Sequence, residues 1–163
     1  MKKILIPSLL AMVALVACNR EKLESTQEAA VVANNVETET CSACGMVVRE
    51  QPAPRGQVVF RDGSREFLCA IDDLVRFLEV PSPKGKPVKI FAEVMADGHD
   101  IADMDASTKP WLEADKVFFV TGIERGGVMG APALTYQTKE AAQKAAEKFN
   151  GKVVTFKQLT QNK

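Results

Sequence analysis

Cys41-Ser42-Ala43-Cys44-Gly45-Met46 places three soft sulfur side chains within six residues. A C-x-x-C spacing lets two thiols converge, and the glycine that follows frees the backbone to bend around them. Thiolate and thioether ligands select Cu(I) over hard cations. The thioether of Met46 needs no deprotonation and forms no disulfide, so it can hold such an ion where thiols are at risk of oxidation. Three other uses of these residues compete. Cys41 and Cys44 could form a permanent disulfide in an oxidising compartment. They could be a redox pair, although the thioredoxin-like motif opens a helix and this one runs into strand-like Gly-Met-Val-Val. They could be half of a zinc site, but no second C-x-x-C or H-x₃-H follows.

A second sulfur sits in Gly126-Gly127-Val128-Met129-Gly130. Glycines give a methionine little to pack against and let the backbone come close to a ligand. Equally, Met129 could close the lid of the core. Cys69 precedes a predicted helix, whose N-terminus would lower a thiol pKa and make a reactive thiolate or a third sulfur ligand. Within Phe-Leu-Cys-Ala, however, the favoured reading is a buried, inert cysteine. His99 is the only imidazole and lies among aspartates, the setting of a solvated side chain. Met104 is ambiguous, whereas Met95, Trp111 and Phe118 read as core. There is no Ser/His/Asp set, phosphate-cradling loop or carboxylate pair, so the expectation is a metal carrier and not an enzyme.

These residues need a scaffold. The chain has 163 residues, 46% of them apolar, with 21 basic against 21 acidic side chains. That balance offers no basic surface for a phosphate backbone, and nucleic acid is excluded as a partner. Residues 1–17 read as a leader: Lys2 and Lys3, then an uncharged apolar run too short to span a bilayer comfortably. Leu15-Val16-Ala17-Cys18 resembles the lipobox of bacterial lipoproteins, with cleavage before Cys18 and lipid on its thiol. Loss of Lys2 and Lys3 leaves 19 basic and 21 acidic side chains, a net of −2. Attachment would therefore be by acyl chains, at about 0.8 kcal/mol per buried CH₂, rather than by charge. Asn19, in place of aspartate, follows the lipidated cysteine and favours the outer membrane over the inner one.

Residues 18–40 read as a lipidated flexible tether, acidic and poor in large apolar groups. Folding is expected from residue 41. Residues 41–95 form a first unit: strand Val58-Val59-Phe60, an Asp62-Gly63 hairpin turn, a strand from Arg65 to Leu68, a helix carrying Ile71, Leu74, Val75 and Leu78, and a strand from Val88 to Met95. Residues 96–115 read as an irregular connection. Residues 116–163 repeat the pattern with strands at Lys116 to Thr121 and Ala133 to Gln137, a Thr138-capped helix from Lys139 to Phe149, and a strand from Lys152 to Phe156. The fold class is α+β: two similar ββαβ units, each too small to bury a good core alone and so packed together.

In this order the motifs resemble the NosL family, copper-binding lipoproteins linked to maturation of nitrous oxide reductase. The resemblance runs through the lipobox at Cys18, Cys41-x-x-Cys44-Gly-Met46, Asp62-Gly63 followed by Phe67 and Asp73-Leu74, Trp111-Leu-Glu-Ala-Asp115, Met129-Gly130, and the C-terminal Gly-x-Val-Val-Thr-Phe. It implies a periplasm-facing Cu(I) chaperone working with the reductase and an ABC-type membrane complex. It also implies copper contacts at Cys44, Met46 and Met129, with Cys41 next. The family's Gly-Pro-Met-Gly is Gly-Val-Met-Gly here, which loosens the loop but keeps the sulfur. Two rival readings are an envelope thiol–disulfide oxidoreductase using Cys41 and Cys44, and a structural lipoprotein with those two permanently linked.

Overall fold

Alternating apolar residues, two helical periodicities and a well-placed turn produce the expected architecture. The computed structural model describes residues 31–52, 54–97, 110–124 and 132–161. Cys18, His99, Met104 and Met129 lie outside them. Strands β1 (Gly56–Val59) and β2 (Arg65–Leu68) form an antiparallel hairpin, with Gly56 opposite Leu68 and Val59 opposite Arg65. Asp62 closes the turn by accepting from the Ser64 N–H at 2.9 Å. Helix α1 (Ile71–Glu79) follows, and strand β3 (Lys89–Glu93) returns beside β1.

The second unit repeats this path. Strands β5 (Phe118–Thr121) and β6 (Leu134–Tyr136) pair antiparallel, helix α2 (Lys139–Phe149) follows, and strand β7 (Lys152–Thr155) returns beside β5. In both sheets the first strand of the unit is central: the orders are β2-β1-β3 and β6-β5-β7. Helix α2 begins and ends where its sequence says it should. The Thr138 side chain accepts from the Ala141 N–H at 3.2 Å, and Asn150 takes the left-handed conformation, φ 53°, beyond the last turn.

Three details depart from the expectation. Strand β4 (Trp111–Glu113), within the stretch read as irregular, adds a fourth strand to the first sheet beside β3. The closing strand stops at Thr155, and a short helix α3 (Phe156–Gln161) follows. Its Phe156 ring lies 5.9 Å from that of Phe119. The tether expected to reach residue 40 is held to the domain earlier. Asn34 donates its N–H to Gln57 Oε1 and accepts from Gln57 Nε2, both at 3.0 Å, and Val36 packs on the core.

The units share a core. Val58, Leu68, Leu74, Ala92 and Val94 of the first pack with Phe119, Ala133 and Val154 of the second. On the other face of the second sheet, Val120, Leu134 and Tyr136 meet Ala141, Ala142 and Ala145 of α2. Strand β5 thus faces the shared core through Phe119 and α2 through Val120, as a period of two requires. Met95 is buried in this second cluster, and its N–H donates to Thr135 O at 2.8 Å, joining the units through backbone. Phe118 packs there too, while Trp111 is only half-buried. Among the described residues no helix is long and apolar enough to cross a membrane.

Candidate functional site

The C-x-x-C turn is closed by its own backbone. Gly45 N–H donates to Cys41 O at 2.8 Å and Cys41 N–H to Met46 O at 2.7 Å, with Thr40 bridging Val47. This closure needs Gly45 at φ +76°, a conformation that costs glycine little. The turn is docked on the edge of the first sheet: Cys41 forms a parallel bridge with Phe67, and Ser42 N–H donates to Phe67 O at 2.9 Å. The Ser42 hydroxyl also reaches Glu66, which pairs with Lys84. Burial raises the Glu66 carboxyl, but the hydrogen bonds from Lys84 and Ser42 outweigh it and hold the pKa below the usual carboxylate value.

Docking on β2 brings the turn to the residue that follows that strand. The Cys69 N–H donates to Cys41 Sγ at 3.3 Å, and Cys69 Sγ lies 3.5 Å from Cys44 Sγ. The Cys69 thiol donates to Asp73 Oδ2, 3.0 Å away in the first turn of α1. The sulfurs of Cys41, Cys44 and Cys69 and a carboxylate oxygen of Asp73 all lie within 4.8 Å of one another. The three thiols are free; Cys41 and Cys69 are 3% and 6% exposed, whereas Cys44 is open to solvent.

The two buried thiols sit in opposite electrostatic surroundings. Burial raises Cys41, but backbone N–H groups of Cys69, Ala43 and Cys44 and the Cys44 side chain turn towards its sulfur and bring its pKa below the ordinary thiol value. Burial raises Cys69 strongly, and the hydrogen bonds to Asp73, Cys41 and Cys44 raise it further. The helix N-terminus that would make Cys69 a thiolate is therefore overridden by burial and by a carboxylate one turn along the helix. Its expected burial holds, but it is not isolated: it stands in the middle of the sulfur group.

The cluster opens on a cleft of about 880 Å³. Cys44, Met46, Cys69 and Asp73 line it, as do Pro132 and Ala133 just before β6. Met46, which also lines the cleft, is 36% exposed. Of the residues singled out in the sequence, Cys41, Cys44 and Met46 therefore come to one place. Asp73 and the position of Cys69 were the pieces that local sequence did not disclose. Cys69 lies between β2 and α1, before the extended Ala70 that precedes the helix, so no helical spacing relates it to Asp73.

A soft three-thiol cluster at the edge of the first of two ββαβ units defines a small α+β protein with a preformed sulfur site. Such a set favours a thiophilic ion and disfavours Mg²⁺ or Ca²⁺. The NosL family model matches residues 33–163, and the chain belongs to that family. It is 27% identical over 149 residues to the "Copper-binding lipoprotein NosL" of Stutzerimonas stutzeri, covering 86% of this chain and 72% of that one. It is also 27% identical over 154 residues to the protein of the same name from Achromobacter cycloclastes, covering 92% and 76%. The crystal structure of the copper chaperone NosL from Shewanella denitrificans shares the fold, with a TM-score of 0.65 at 23% identity over 81% of this chain and 98% of that one.

Proposed function

We propose that the protein is a lipid-anchored carrier that holds Cu(I) in the cell envelope and passes it on by ligand exchange, without catalysing a reaction. The observation that carries this reading is the convergence of the Cys41, Cys44 and Cys69 sulfurs and an Asp73 oxygen within 4.8 Å of one another, at a cleft that Met46 also lines. Thiolates and a thioether match a soft monovalent copper ion. The names of the two relatives, both copper-binding lipoproteins, support the cargo and, with the lipobox at Cys18, the anchor. The anchored domain faces the periplasm, on the outer membrane if the residue after Cys18 decides sorting.

Met129 belongs to the same ligand set in this reading. It lies outside the described residues, but Pro132, three residues further on, lines the cleft. Cys44, Met46, Met129 and Cys41 are the proposed copper contacts. The recipient is nitrous oxide reductase during its assembly, with an ABC-type membrane complex acting between them.

Titration of the reduced chain with Cu(I) against a competing chromophoric chelator tests the reading. One ion per chain, with affinity lost in Cys44→Ser combined with Met129→Leu, is expected. A chain that leaves all copper on the chelator is not a copper carrier. Turnover with thiol or disulfide substrates would instead favour an oxidoreductase.

A further inference from the structure

The C-x-x-C pair is unequal, and the sulfur that completes it comes from elsewhere. Cys41 is 3% exposed, with its sulfur fixed by the Cys69 N–H at 3.3 Å. Cys69 is 6% exposed and anchored by Asp73 at 3.0 Å. Cys44 alone of the three is exposed; it sits in the tip of the 41–46 turn and faces the cleft, 3.5 Å from Cys69. The two interior sulfurs are thus held by the backbone of the residue after β2 and by a carboxylate on α1, whereas the third depends on a short turn.

We propose that Cys69 is a metal ligand and, with Cys41, forms the retaining side of the site, while Cys44 is the ligand exchanged during transfer. This rests on the carrier reading and assigns separate roles to its thiols. In the exchange, a thiol of the acceptor forms a Cu–S bond as the Cu–S bond to Cys44 breaks. The proton of the acceptor thiol passes to the released Cys44 thiolate, and copper stays Cu(I) throughout. Cys41 and Cys69 keep the ion until the acceptor has hold of it. An approach through Cys44 suits the shape of the site, because the cleft is the open side and the sheet edge closes the other.

Competition titrations with Cu(I) on the full reduced chain, wild type against Cys69→Ala and Cys69→Ser, test the ligand assignment. Each variant is expected to bind at least 10-fold more weakly. To remove dependence on how a variant folds, the unsubstituted chain is also loaded with ¹¹³Cd(II), whose resonance moves stepwise with the number of bound thiolates. Three thiolates are expected, and two would overturn the proposal. Wild-type affinity in both Cys69 variants would also overturn it, while leaving the carrier reading intact. Failure of the wild type to take up Cu(I) would end both.

The exchange order is read by alkylating the copper-loaded chain with iodoacetamide and mapping the modified cysteines by mass spectrometry. Cys44 is expected to react first, at least 10-fold faster than Cys41 or Cys69. Equal rates, or Cys41 first, would overturn the division of roles.

Discussion

The guanidinium of Arg55 and the carboxylate of Glu93 form a two-pronged ion pair in which both side chains are 1% exposed. Arg55 Nε donates to Glu93 Oε2 at 2.6 Å, its backbone N–H donates to the same oxygen at 3.2 Å, and Nη1 reaches Arg49 O at 3.4 Å. The pair ties the segment before β1, including the Pro54 wall of the cleft, to β3. Removing one partner would leave an uncompensated buried charge. Arg55→Met is expected to destabilise the fold by about 3–5 kcal/mol, measured by chemical denaturation. Pairing it with Glu93→Leu should restore much of the loss. A single variant as stable as the wild type would show that the charge finds water.

Metal loading should depend on pH in a direction set by Cys69. Its pKa is raised by burial and by Asp73, so it is a neutral thiol around neutral pH and must lose a proton to bind. Cys41, with a lowered pKa, competes less with protons. Affinity for Cu(I) is therefore expected to rise with pH, by up to about tenfold per unit for each proton released. Titrations at several pH values between roughly 6 and 8 check this; a flat profile contradicts Cys69 ligation.

Glycine at 151 is required by space. A Cβ there would lie 2.7 Å from side-chain carbons of Val120 and Ile123 and 2.9 Å from the Thr121 carbonyl oxygen, which cannot turn away. Gly151→Ala should cost about 1–3 kcal/mol of stability by overpacking. The clash lies in the α2-side core, away from the thiols. Affinity for Cu(I) in the folded fraction should therefore match the wild type. Comparable stability by thermal melting would mean that β5 and the turn before β7 shift more freely than their packing implies.

Glu66 joins the C-x-x-C turn to the segment after α1 through Ser42 and Lys84. Its folded-state pKa is lowered, so its stabilising effect is present above the unfolded-state pKa and disappears as pH falls through the folded value. The wild type should exceed Glu66→Gln in stability near neutrality by less than about 1 kcal/mol, as a largely surface pair would. The gap should close in acid. Denaturation curves for both proteins at neutral and acid pH decide the matter; a gap that persists would trace to packing and not to charge.

Much of this architecture was legible in the chain. Helix α2 was bounded by Thr138 and Asn150, the first hairpin by Asp62-Gly63, and the repeated order of elements pointed to two units. These are local signals, carried by residues adjacent to the structure they set. Strand β4 was missed because its three residues show no period of their own and owe their conformation to pairing with β3. At the site, Cys41, Cys44 and Met46 were visible as a cluster because one turn contains them. Cys69 was not, because its part in the cluster depends on the bridge between Cys41 and Phe67, a contact across 26 residues that no pattern of spacing encodes. Its hydrophobic neighbours correctly indicated burial and concealed the Cys41 sulfur buried with it.

The segment leading into β6 contributes Pro132 and Ala133 to a cleft whose thiols all belong to the first unit. The halves of the molecule are therefore alike in path but unlike in duty: the first supplies every thiol of the cluster, and the second supplies part of its enclosure. A fragment ending at residue 95 would carry every one of those thiols and still lack a side of their chamber, as well as Phe119 and Val154 beneath it. Severing the polypeptide between the repeats should thus weaken metal binding without removing a single thiol of the cluster, and mixing the two pieces should restore it to the extent that they reassociate.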